Sequence, residues 1–68
     1  MNDITAKNFK AYLEVQSSGK YNMFSQYAIY ESGLDKETYM NILKNYSELV
    51  EKYKNDSECK NILNKMGY

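Results

Sequence analysis

Tyr39, Ile42, Tyr46, Leu49 and Tyr53 follow one another at alternating spacings of three and four residues. That alternation lines all five along one side of an α-helix. A β-strand cannot use it, because strand side chains change face at every residue. Leu43 and Val50 widen the stripe. Asp35 marks the start: its carboxylate can accept from the unpaired N–H groups of a first turn, and Glu37 lies inside that turn, where the helix dipole favours negative charge. Leu34 and Tyr39 hold the two positions of a hydrophobic staple. The spacing predicts one helix from Leu34 to Tyr53, with Glu48 and Lys52 as an external i,i+4 ion pair.

The rest of the chain has no proline and is punctuated by Gly19, Gly33 and Gly67. In "DITAKNFKAYLEVQSSG", Asp3 or Thr5 can cap a helix whose face is Phe9, Tyr12, Leu13 and Gln16, with Ile4 before it. Gly19 suits the left-handed position that follows a helix. In "NMFSQYAIYESG", Asn22 is the expected N-cap, Gly33 the terminator, and Leu34 the apolar contact beyond it. In "NDSECKNILNKMGY", Asn55 and Glu58 have the spacing of a capping box. Cys59, Ile62, Leu63 and Met66 form the apolar face there, and Gly67 ends it. This segment reads either as a separate helix or as a kinked continuation of the one before. No strand alternation persists beyond a few positions, so the expected fold is all-α: a compact bundle of three or four short helices in a single domain, residues 1–68.

A chain of 68 residues buries only about 60% of its unfolded surface and needs a further source of stability. Cys59 is the only cysteine, so no internal disulfide forms, and there is no histidine to supply the commonest zinc ligand or general base. Helix packing or self-association must take that part. The same absences argue against catalysis. There is no histidine, no arginine and no glycine loop to cradle phosphate, and the carboxylates fall at helix starts or on polar faces. Cys59 shares its face with Ile62 and Leu63, which reads as core packing rather than nucleophilic chemistry. The expectation is a non-enzymatic protein with no cofactor and no metal. No N-terminal stretch reads as a leader and no apolar run approaches the roughly 20 residues of a membrane span, so a cytoplasmic protein is expected.

Formal net charge is zero and all nine basic residues are lysines, which disfavours a dedicated nucleic-acid binder. A helix-turn-helix remains an alternative, since a glycine corner joins two helices; Lys36, Thr38 and Lys44 would then meet DNA. Against it, Asp35 and Glu37 stand where phosphates would approach. A second alternative is a homodimer seam through Tyr39, Ile42, Tyr46, Leu49 and Tyr53. Its alternation suits a coiled coil but lasts only about two heptads, so an internal core stripe is the preferred reading.

The stretch "GKYNMFSQYAIY" holds Tyr21, Phe24, Tyr27 and Tyr30 at every third position. At about 100° per residue such a series drifts around a helix instead of holding one face. Projected from Tyr21, it puts Phe24, Tyr27 and Ala28 on the core side. Tyr21, Met23, Ile29 and Tyr30 are left for solvent or a protein partner, and they are the expected partner-binding residues.

The pattern Ser18-Gly19, Asn22-Met23-Phe24, Ser32-Gly33-Leu34 and Asn45-Tyr46 resembles that of a group of small phage and prophage proteins, over about half the chain. What the resemblance implies is a phage or prophage setting. By context alone it suggests an inhibitor that binds host machinery, as anti-CRISPR and other anti-defence proteins do. It carries no functional residue with it.

Overall fold

The computed structural model describes residues 4–67. Among them the chain is all-helical: α1 (Ala6–Ser18), α2 (Gln26–Ser32), α3 (Lys36–Lys44), α4 (Tyr46–Tyr53) and α5 (Lys60–Lys65). The helices form a slab with principal extents of 29 × 28 × 17 Å.

α1 is the element the others pack on, with α2, α3 and α5 all against it. It opens with a capping box. The Asn8 N–H donates to the Thr5 hydroxyl at 3.1 Å, and the Thr5 N–H donates to the Asn8 side chain at 3.2 Å. Asp3, the other candidate cap, lies outside the described residues. The expected face is buried: Phe9 and Leu13 completely, Tyr12 almost so, with Val15 added beside them.

The stripe of the third segment closes on this face from the other side. Tyr39 and Ile42 are fully buried, Leu49 is nearly so, and Tyr46 and Tyr53 pack against the core. The Phe9 ring lies within 5.8–6.4 Å of Tyr12, Tyr46 and Tyr53, and Tyr12 lies 5.1 Å from Tyr39. A tyrosine can sit in such a core only if its hydroxyl finds a partner. Each of the three does so on a different segment. Tyr39 donates to the Met23 carbonyl, Tyr46 to the Gln16 side chain, and Tyr53 to the Ile4 carbonyl, at 2.6–2.9 Å. The preferred core reading of this stripe therefore holds, and the side chains that a dimer seam would need are turned inward.

One long helix was expected here; the structure has two. Asn45 leaves helical geometry at φ −116°, ψ 25°. Its N–H is shared between the Asn41 and Ile42 carbonyls, and its side-chain amide also donates to the Asn41 carbonyl at 2.9 Å. A short amide side chain that competes for backbone partners is a known cause of such a break. The apolar spacing runs through Asn45 undisturbed, so it carries no sign of the joint. The expected Glu48–Lys52 pair is not formed. Lys52 instead stands 5.2 Å over the ring of its neighbour Tyr53, while Glu51 pairs with Lys54.

α5 is a separate helix, reached through a turn held by Asp56 and not by an Asn55–Glu58 capping box. The Asp56 carbonyl accepts from Cys59 and Lys60, and its carboxylate accepts from the Glu58 N–H at 2.7 Å. Cys59 and Leu63 are buried and Ile62 and Met66 pack against the core, as their spacing predicts.

Candidate functional site

α1 and α2 end in the same way. The last helical residue is a serine whose hydroxyl donates back to a helix carbonyl at 2.6 Å: Ser18 to Val15, and Ser32 to Ile29. A glycine in left-handed geometry follows, Gly19 at φ 69° and Gly33 at φ 74°. The serine oxygen then accepts from the next N–H, of Lys20 or Leu34. These two joints fix where α2 lies, and thereby which of its residues face outward.

The turn before α2 is tied at three points. The Asn22 side chain accepts from the Phe24 N–H at 2.8 Å, and its carbonyl accepts from Ser25 at 2.9 Å. The Met23 carbonyl is held by the buried Tyr39 hydroxyl, with the Met23 sulfur 3.8 Å from the same oxygen. Ser25 rather than Asn22 is the N-cap of α2, its hydroxyl accepting from Ala28. That shift of three residues takes Phe24 out of the projection made from the sequence. Phe24 stands before the helix, where a helical angle has no meaning. The buried side of α2 is its small side: Ala28 is fully buried, and Ser25, Ile29 and Ser32 are half-buried.

The aromatic side therefore faces out. Phe24, Tyr27 and Tyr30 are 82%, 75% and 90% exposed, so the expectation that Phe24 and Tyr27 belong to the core is corrected. Of the expected contact residues, only Tyr30 stands free in this way. Tyr21, Met23 and Ile29 are half-buried and pack against the core. Tyr27 and Tyr30, with Gln26, line a shallow depression of about 220 Å³. Tyr21 instead helps line a cleft of about 190 Å³ between α1 and α2, beside Glu14, Lys20 and Glu31. The signal that could have found the face is the smallness of Ser25, Ala28 and Ser32, which lets α2 approach α1 closely.

The DNA alternative places its three residues apart in role. Lys36 and Lys44 are exposed, but Thr38 is buried. Its hydroxyl donates to the Asp35 carboxylate at 2.7 Å, and its N–H donates to the same group at 3.1 Å. These bonds hold the Asp35 carboxyl below its usual range. A buried threonine so committed to the Asp35 cap is not free to meet a base.

Cys59 is fully buried, and its thiol donates to the Ala6 carbonyl at 3.4 Å. Burial pushes its pKa up to about 11, with Asp56 and Glu58 adding to the effect. The thiol stays protonated at neutral pH and is a packing group. Among the described residues, no three acidic or cysteine side chains gather where they could hold a metal ion, and no helix is long and apolar enough to cross a membrane. No protein-family model, curated protein or solved structure matches the chain.

Proposed function

We propose that this chain is a non-enzymatic binding protein that inhibits or modulates a protein partner, through the exposed aromatic side chains of Phe24, Tyr27 and Tyr30. What supports the reading above all is that three large aromatic side chains, each at least 75% exposed, stand on a turn and helix that are fixed from beneath. Exposed aromatics cost solubility, and aromatic anchors dominate the energetics of protein interfaces. A rigid support means that little ordering entropy is lost on contact. Met23 and Ile29 then act as the base of the surface and Tyr30 as part of it. The resemblance to small phage proteins makes a host protein, such as a defence factor, the first partner to try.

The test is capture from host lysate with tagged wild-type protein and with a Phe24→Ser/Tyr27→Ser/Tyr30→Ser variant. The reading expects one or more proteins retained by the wild type and lost with the variant, whose helix content is unchanged. Equal capture by both, or capture by neither, would count against it.

A further inference from the structure

We infer that Met23 is a peroxide-sensitive site, and that its oxidation to the sulfoxide unties the turn before α2 from the core. The Tyr39 hydroxyl donates to the Met23 carbonyl at 2.7 Å, and the sulfur of the same residue stands 3.8 Å from that hydroxyl. The main chain and the side chain of one residue therefore address a single donor. A phenol has one proton to give and a thioether accepts only weakly, so the carbonyl holds the bond. Oxidation turns the apolar thioether into a polar group that carries an oxygen acceptor. That oxygen, attached to a sulfur already beside the hydroxyl, can come within hydrogen-bond reach of it. The bond then passes from the backbone, where it fixes the turn, to a side chain, where it fixes only a flexible group. The part-buried Met23 carbonyl is left without its partner.

The oxidant is hydrogen peroxide. A sulfur lone pair attacks one peroxide oxygen, and the O–O bond breaks as the S–O bond forms. The proton on the transferred oxygen passes to the leaving hydroxide, which departs as water. Sulfur loses two electrons and peroxide gains them. Met23 is half-buried, whereas the Cys59 thiol is fully buried, bonded to the Ala6 carbonyl and protonated at neutral pH, so it does not compete for the oxidant. Sulfoxide reductases return the thioether, so the change is reversible. The other two ties of this turn run within it, from the Phe24 and Ser25 N–H groups to Asn22. The Tyr39 bond is the tie that reaches it from the core, and a partner at Phe24 is not needed for its loss.

Peroxide titration of the wild type, Met23→Leu and Tyr39→Phe, read by peptide mass mapping and amide hydrogen exchange, tests this. Met23 is expected to gain one oxygen at doses that convert Met40, which is 40% exposed and serves as the internal reference. Exchange of the Phe24 and Ser25 amides should then speed up by about fivefold or more, the factor that one lost net hydrogen bond gives. Reduction by a methionine sulfoxide reductase should restore the original rate. Met23→Leu keeps the volume and apolar character of the side chain, and should exchange at the wild-type rate before and after peroxide. In Tyr39→Phe the same amides should exchange fast from the start and gain nothing on oxidation. Circular dichroism checks that helix content survives in each sample. A Met23 that stays unoxidised while Met40 is fully converted overturns the site. Unchanged exchange around an oxidised Met23 overturns the release of the turn. An equal acceleration by peroxide in Met23→Leu or in Tyr39→Phe overturns the exchange of acceptors at the Tyr39 hydroxyl.

Discussion

The Tyr39 hydroxyl donates to the Met23 carbonyl at 2.7 Å, across 16 positions of the chain. This bond joins the floor of the core to the turn that carries Phe24. Tyr39→Phe keeps the ring and removes the donor, leaving a part-buried carbonyl without its partner. The expected loss is about 1–3 kcal/mol in urea-unfolding free energy. The same variant should weaken contacts made through Phe24, since the turn loses one of its ties. An unchanged unfolding midpoint would show that the bond does not hold the turn.

Phe24, Tyr27 and Tyr30 are exposed and should contribute little to stability. Replacing all three with serine is expected to shift the unfolding free energy by no more than about 0.5 kcal/mol per site, as for ordinary surface positions. Leu13→Ala, at a fully buried site, should cost about 2–5 kcal/mol. Denaturant melts of the two variants side by side check the contrast. A triple variant that unfolds would mean that the aromatic side of α2 packs on the core after all.

Gly33 tests whether backbone conformation alone limits the α2–α3 corner. A Cβ built there meets no atom within 4 Å, yet φ is +74°. Gly33→Ala is therefore expected to cost about 1 kcal/mol through left-handed strain and not through a clash. Gly33→Asn should cost less, because asparagine tolerates that region better. Thermal melts of the two variants give the comparison, and an alanine variant as stable as the wild type would refute the strain.

Alkaline pH should destabilise the protein over two overlapping ranges. Burial raises Cys59 from 9.0 to about 11, and burial with the neighbouring Tyr39 raises Tyr12 from 10.0 to about 12. Both groups ionise more readily in the unfolded chain, so their contribution is whole below the unfolded pKa values and is lost as pH rises through the folded ones. Stability is expected to fall between about pH 9 and about pH 12. Cys59→Ala should flatten the lower part of that slope and Tyr12→Phe the upper part. The readout is the slope of unfolding free energy against pH, because each variant also loses packing. A slope that neither variant alters would assign the loss to other groups.

Asp35 sets the acid side. Its carboxyl is held low, first by the Thr38 hydroxyl and then by the Thr38 N–H. A lowered folded pKa stabilises above the unfolded value and loses that effect as pH falls through the folded one. Asp35→Asn keeps a capping oxygen but does not titrate, so it should reduce the acid-side slope of stability while retaining most of the helix. Unfolding free energies measured from neutral pH down to about pH 2 provide the check.

The sequence by itself determined the class of fold, the buried face of α1 and the inward stripe from Tyr39 to Tyr53. Each is a repeat of apolar residues at helical spacing, and burial of such a stripe is favourable wherever it finds a complementary one. The glycine ends of α1 and α2 were legible for a similar reason, since left-handed geometry is cheap only for glycine. Tertiary structure decided the rest. Asn45 divides one continuous apolar stripe into two helices, because its break lies in backbone and amide hydrogen bonds that apolar spacing does not encode. Ser25, rather than Asn22, caps α2, which left Phe24 outside the helix. In a seven-residue helix whose apolar residues, Tyr27, Ala28, Ile29 and Tyr30, are consecutive, periodicity does not choose the inner face. Packing chose the small side, where Ala28 and its serine neighbours let α2 come close to α1. Phe24, Tyr27 and Tyr30 were thereby left in water as the surface of the molecule.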